Sequence, residues 1–298
     1  MNGIKIKSWN RKEGYLPYIL TFPALIIILV MLIYPIFRGI IISFFDPPGL
    51  MPGFGEFVGL ENYSRLLQDS NFWISLRTTL IYTICCLVGA VGTGLITALL
   101  LNSKFKGRGI ARVLMTAPWA IPEVAAVMIW VFMLDPNYGV VNYLMSQAGI
   151  IGEYVRWLNQ IDTALPTVLF VTIWKIFPFS SIVLLTALQS VPEELYEVAK
   201  IDGANLFQTF WNITIPSIRP TLMLLSLLVT IWSFKRFSII WLMTQGGPMR
   251  RTESLVVMVY RTAFKFFDTG YAAAIGVLGL VLSLLITTAY FWVQNKMD

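Results

Sequence analysis

Two groups of residues in this sequence are of types that could do chemistry. The first is Glu123, Lys175, Lys235 and Arg236, with Arg38 beside them, each within or next to a long uncharged run. A charge at the centre of a bilayer costs about 2.5–3.5 kcal/mol on insertion scales, so such residues turn toward a protein interior or a wet cavity. Both uses remain open: structural ion pairs and interface anchors on one side, contact with a passing solute on the other. The second group is the stretch EELYEVAKIDGANLFQTFWNITIP, residues 193–216, which carries three glutamates and an aspartate within ten residues and then Phe207, Phe210 and Trp211. It stands in a gap between two apolar runs.

The elements that must position these residues follow from composition. Of 298 residues, 57% are hydrophobic and only 13% charged, about half the charge of a soluble domain. Uncharged runs such as 14–37, 78–103 and 269–295 each exceed the roughly 20 residues needed to cross a hydrocarbon core. Glycine and proline inside them favour helices over a barrel, whose strands would alternate over about 10 residues. The expectation is an all-α membrane protein with six transmembrane helices, at about 17–43, 74–101, 111–134, 165–189, 219–243 and 270–293, forming a single domain. The first apolar run is too long for a signal peptide and lacks a small-x-small cleavage site, so it reads as an uncleaved span.

An even span number puts both termini on one side. Calling that side the cytoplasm places eleven basic residues inside, from Lys5, Lys7, Arg11 and Lys12 through Lys104, Lys106, Arg108 and Arg112 to Lys200, Arg219 and Lys296; seven lie outside. The bias favours the cytoplasmic assignment. The net charge of +6 is then membrane-flanking, not a nucleic-acid footprint. Segments 46–72, 135–164 and 244–268 fall outside, long enough to cap a cavity but not to form a domain.

Several chemistries have no support. Histidine is absent and the two cysteines, Cys85 and Cys86, are adjacent in one apolar run, which leaves no ordinary Cys/His metal site and no disulfide framework. No GxxxxGK[ST], GxSxG or HExxH occurs, so nothing points to nucleotide binding or hydrolysis by this chain. The glycine clusters GAVGTG (89–94) and GVLGL (276–280) read as places of close helix contact.

Residues 193–216 have helix punctuation of their own. Ser190-Val191-Pro192-Glu193 has the form of a capping box, and Gly203 stands where a helix end takes a left-handed residue. Asn205 can cap a second short helix carrying Leu206, Phe207, Phe210 and Trp211, which Pro216 is expected to stop. A short loop with an aromatic face has no core of its own, so it folds back on the span ends or docks into another protein. For the other group, aromatic residues beside a few fixed polar groups could face a passing solute; Trp174, Lys175, Trp232, Phe234, Lys235 and Phe237, around the middle of spans four and five, are the candidates for the substrate path.

The 193–216 segment resembles the signature loop of bacterial ABC-importer permeases, EAA-x3-G-x9-I-x-LP. Glu197, Val198 and Ala199, then Gly203, then Ile213, Ile215 and Pro216 keep its spacing, with Val198 and Ile215 departing from the pattern. Further stretches, FVGLENYSRLLQDSNFWISLRTTLIYT (57–83), PWAIPEVAAVMIW (118–130), DPNYGVVN (135–142) and TQGGPMRRTESL (244–255), are similar to the MalF-like carbohydrate-uptake branch. The resemblance implies a type I importer fold of the MetI-like kind in the bacterial inner membrane, with 190–218 as a cytoplasmic coupling loop. It implies ATPase coupling through Glu197, Ala199, Asp202 and Gly203, continued by Ala204, Phe207, Ile213 and Pro216. The implied partners are a second, MalG-like permease subunit, two ABC ATPase subunits that bind ATP and Mg, an extracytoplasmic solute-binding protein, membrane lipid and a carbohydrate substrate. This chain itself would carry no cofactor. A non-sugar solute such as glycerol phosphate or a polyol is the alternative within that architecture; a self-contained secondary transporter leaves the spacing of 197–216 unexplained.

Overall fold

The computed structural model describes residues 15–46 and 55–296. The basic residues Lys5, Lys7, Arg11 and Lys12, positions 47–54 of the first outer segment and the last two residues lie outside that range. The chain is helical nearly throughout. Helix α1 (Leu16–Ile28) passes through a π turn (Leu29–Ile33) into α2 (Tyr34–Ile42). The next π turn, Phe210–Thr214, likewise precedes a helix with proline in its first turn, Pro35 in one case and Pro216 in the other. Proline has no N–H to return to the preceding turn, and a π turn shifts that bonding by one residue, so the helix carries on.

Beyond α2, the two-residue strands β1 (Phe45–Asp46) and β2 (Glu56–Phe57) pair antiparallel, with Phe45 opposite Phe57. Then come α3 (Glu61–Gln68), α4 (Ser70–Asn102), α5 (Arg108–Ala120), α6 (Glu123–Met133), α7 (Val140–Gln147) and α8 (Ile161–Gln189). After α9 (Glu193–Ile201), α10 (Leu206–Thr209) leads through the second π turn into α11 (Ile215–Phe234). The chain closes with α12 (Ser238–Thr244), α13 (Leu255–Phe264) and α14 (Thr269–Asn295). Among the described residues five helices are long and apolar enough to cross a membrane, and the bent pair α5–α6 makes a sixth.

The centre of the bundle is α4 lying along α8, with α11 packed on α4. Glycine allows the approach: a Cβ on Gly94 would lie 2.5 Å from the Ser180 Cβ, and one on Gly89 would strike the Ile173 side chain. The second glycine cluster behaves differently, since a Cβ at Gly276 or Gly279 meets nothing within 4 Å in this chain. Around the α4–α8 seam, Ala90, Leu184, Leu188, Ile218 and Leu225 form one apolar core, and Tyr82, Cys86, Val127, Val168 and Ile239 another. The first span stands apart, exposed over almost its whole length and touching the bundle mainly where α2 meets α14.

The bundle end away from α9 is locked by polar contacts. Arg65 pairs with Asp268 at 2.6 Å and lies over the Tyr271 ring, whose hydroxyl donates to Asp69 at 2.8 Å. Glu253 is fully buried between Arg261, its ion-pair partner, and Arg250 at 3.6 Å. Burial pushes its carboxyl above the usual carboxylate range, against the pull of those two guanidiniums.

Two expected spans are not continuous helices. The third, read as 111–134, bends by 94° between α5 and α6. Pro122 cannot donate to the carbonyl of Pro118 and pushes Ile121 into extended backbone (φ −67°, ψ 136°). The fifth, read as 219–243, breaks at Lys235–Phe237, and its helix instead begins far earlier, continuous through α10, the second π turn and α11 from Leu206 to Phe234 over 29 residues. No proline or glycine marks that second break; the contacts that fix it are tertiary.

Candidate functional site

The two helix breaks come together. At the first, the end of α5 leaves carbonyls without the amide partners a continuing helix would supply. The Lys175 ammonium, reaching across from α8, takes them: it donates to Pro118 O at 2.7 Å, to Trp119 O at 3.1 Å and to Ile121 O. A cation at a helix C-terminus also complements the helix dipole. Glu123, in the first turn of α6, points its carboxylate at Arg236 in the second break, 2.5 Å away. Side chains distant by more than a hundred residues in sequence thus bind the broken span three to the broken span five, with α12 packed against α6.

Between the breaks lies a cavity of about 430 Å³ lined by Trp119, Glu123, Lys175, Trp232, Lys235 and Phe237, with Ile176, Phe179, Arg236 and Ser238 completing the wall. Its aromatic side is continuous: Trp119 stacks on Phe179 with ring centres 6.0 Å apart, and Phe179 meets Trp232 at 5.1 Å. Discontinuous membrane helices with polar groups at their broken ends, lining a water-accessible cavity, are a recurrent form of solute site.

Of the six residues expected on a substrate path, Lys175, Trp232, Lys235 and Phe237 line this cavity. Lys175 does so with its ammonium turned to backbone carbonyls, and the residue is only 8% exposed. Trp174 points elsewhere, edge-on to Trp130 at 5.4 Å. Phe234 is buried among Leu255, Met258 and Ile275. Both misses have one cause: neighbouring residues on a helix point about 100° apart, and in helices apolar all round no stripe marks the inward face. Trp119 and Phe179 escaped notice, although Trp119 sits between the two prolines of its span.

At the α9 end, the segment 193–216 is a helical hairpin. Asp202 caps α9 and Gly203 follows in the left-handed region (φ +76°); Ala204 N–H donates to Ala199 O at 2.9 Å and Gly203 N–H to Lys200 O at 3.2 Å, the paired bonds of a Schellman turn. Asn205 makes a full capping box with Gln208. The box expected at Ser190–Glu193 does not form: the Ser190 hydroxyl turns back to Ala187 O at 2.8 Å, and Pro192 occupies the cap position without a side-chain bond. Nor does Pro216 stop the second helix, which runs on through the π turn.

The hairpin turns its apolar residues outward. Ala199 is buried and Tyr196 reaches the Thr214 hydroxyl at 3.3 Å, anchoring α9 to the foot of α11. Ile201 and Leu206 are 84% and 91% exposed, and Val198 and Phe207 are exposed beside them. Glu197 and Asp202 are exposed too, whereas Ile213 is half-buried. The first reading of the loop, folding back on the span ends, therefore applies to Ala199 and Tyr196 and not to this outer face.

The chain resembles known proteins over nearly its whole length. The chain is 34% identical to the trehalose/maltose transport system permease protein MalF of Thermococcus litoralis, over 94% of this chain and 93% of that one. It is 32% identical to the sulfoquinovosyl glycerol transport system permease protein SmoG of Agrobacterium fabrum, over 99% and 96%. A crystal structure of a bacterial ABC transporter involved in the import of the acidic polysaccharide alginate superposes with a TM-score of 0.83 at 26% identity, covering 96% of this chain and 97% of that chain. Residues 90–298 match the family described as binding-protein-dependent transport system inner membrane component. The chain belongs to that family: it is a multi-pass membrane permease subunit of an ABC importer.

Proposed function

We propose that this permease carries a carbohydrate through the cavity between its two broken helices, by alternating access driven from the α9–α10 hairpin. The observation that carries the reading is one continuous lever. Helix 206–234 bears the outward apolar face, with Phe207, at its start and Trp232, on the cavity wall, near its end. At 1.5 Å per residue that is a rod of about 40 Å. A displacement imposed at Phe207 is carried toward Trp232 along one run of helix.

Aromatic faces beside fixed polar groups suit the C–H faces and hydroxyls of a sugar, and the relatives named for trehalose and maltose, for sulfoquinovosyl glycerol and for alginate agree with that class. The exposed Val198, Ile201, Leu206 and Phe207 suit a groove in a partner, and we assign that partner as a pair of ABC ATPases that bind ATP and Mg. Docking puts the hairpin and both termini in the cytoplasm. Glu197, Asp202, Gly203 and Ala204 then shape the docked turn, and Ile213 and Pro216 join it to the lever. A second, MalG-like permease subunit completes the pathway, and an extracytoplasmic binding protein delivers solute at the opposite end.

The test is affinity purification from the native membrane in mild detergent, with every copurifying chain identified and counted, followed by uptake into liposomes. One sister permease, two P-loop ATPases and ATP-dependent saccharide uptake are expected. Recovery of this chain alone, transporting without ATP, would overturn the proposal.

A further inference from the structure

The cavity holds three cations, Lys175, Lys235 and Arg236, against one carboxylate, Glu123. Two of the three are already engaged. Lys175 gives its donors to the α5 carbonyls, and Arg236 pairs with Glu123. Lys235 is different. It is exposed to the cavity, caps the end of α11, and has no ion pair or side-chain hydrogen bond among the described residues. Lys235 is exposed in this chain, yet it stands between two apolar helices, α11 before it and α12, with Ile239, Ile240 and Met243 buried, after it. A charge at membrane depth is costly unless something compensates it. The C-terminal dipole of α11 does so only in part.

We infer that the transported solute is an anionic saccharide, one bearing a carboxylate or sulfonate, whose charge is taken by Lys235 while a sugar face rests on the aromatic wall of Trp232 and Trp119. Charge and stacking are separated in space within a single cavity, so a ligand must offer both an anion and an apolar ring face to use them. A neutral sugar would leave the ammonium without a partner; inorganic phosphate or glycerol phosphate would leave the aromatic wall unused. The inference rests on the carbohydrate reading above and narrows its substrate class.

The experiment uses the assembled importer with its binding protein in liposomes, and measures ATP-dependent uptake of four probes: maltotriose, a uronic-acid trisaccharide, a sulfonated hexose glycoside and glycerol phosphate. Uptake of the uronate or the sulfonate well above maltotriose is expected. Lys235→Gln should lower uptake of that anionic probe at least about tenfold, the scale of one charge-assisted hydrogen bond, with the complex still assembled and Lys235→Arg recovering part of the loss. Uptake confined to maltotriose would overturn the anionic inference and leave the carbohydrate reading standing. Uptake of glycerol phosphate alone would overturn both. Wild-type rates for the anionic saccharide in Lys235→Gln would remove Lys235 from its recognition, and loss of complex assembly in that variant would put Lys235 in a subunit interface; either overturns the inference.

Discussion

Replacing Lys175 by methionine separates two uses of a buried lysine. Methionine keeps the stem's length and apolar packing and removes only the ammonium. The structure assigns that ammonium three acceptors, the carbonyls of Pro118, Trp119 and Ile121, at the exposed end of a broken helix. Hydrogen bonds from a charged donor contribute about 1.5–3 kcal/mol each. Their sum overstates the loss, because burying the lysine opposes them and because water from the adjoining cavity can reach some of the freed carbonyls. A net destabilisation of about 1–3 kcal/mol follows, the scale of leaving buried neutral acceptors unpaired. At roughly 2–4 °C per kcal/mol for a domain of 150–250 residues, thermal unfolding of the purified complex at a fixed scan rate should shift down by several degrees. Lys175→Arg, which keeps donors but changes their geometry, should recover part of the shift. The reasoning would be refuted by an unchanged unfolding midpoint in Lys175→Met together with a raised KM for the solute, for then the ammonium serves the ligand and not the helix end.

Three further outcomes follow from the geometry. A double-mutant cycle on Glu123→Gln and Arg236→Gln should give a coupling of about 1–3 kcal/mol in complex stability, since the 2.5 Å pair is partly shielded and joins the two breaks; additivity within about 0.5 kcal/mol would remove it as a tether. Gly94→Ala should destabilise by about 1–3 kcal/mol through overpacking against Ser180, while Gly92→Ala, with nothing within 4 Å, should be neutral or slightly stabilising; equal midpoints for the two variants would contradict the α4–α8 contact. Gly203→Trp has open space for the ring but must adopt φ +76°, at a cost of about 1–2 kcal/mol. Membrane insertion should survive while ATP hydrolysis and uptake become uncoupled, and normal uptake at normal assembly would exclude Gly203 from a docked turn.

What the sequence revealed of this protein depended on how local the cause was. Gly203 and Asn205 act on their own backbone, and the turn and cap they signal are present. Pro122 likewise breaks α5 from α6 through its own missing N–H, though the apolar run across it masked the break. Lys235 and Arg236 carry no such local instruction. Their chain leaves the helix where Arg236 meets Glu123, a partner that only the folded bundle brings near. The same distinction explains the substrate-path residues. Four of the five charges in or beside apolar runs, Glu123, Lys175, Lys235 and Arg236, marked an interior cavity, because lipid tolerates charge poorly, whereas Arg38 lies exposed on α2. Aromatics gave no such sign, because packing inside the bundle accepts Trp174 or Phe234 as readily as the cavity wall accepts Trp232.

The departure at Pro216 matters most for mechanism. A helix stopped there would have left a joint between the apolar hairpin and the fifth span, and motion at the hairpin could then be absorbed locally. The π turn Phe210–Thr214 instead takes up the missing proline N–H and keeps α10 and α11 on one continuous run. The single break in that run falls at the other end, at Lys235–Phe237, inside the cavity. On the docking proposed for the hairpin, a helix continuous from Leu206 to Phe234 and broken only at the cavity carries movement at Phe207 toward Trp232. Glu123 holds Arg236 at that break and Lys175 holds the neighbouring end of α5, so the side of the cavity beyond Lys235 is tied to α6 and α8.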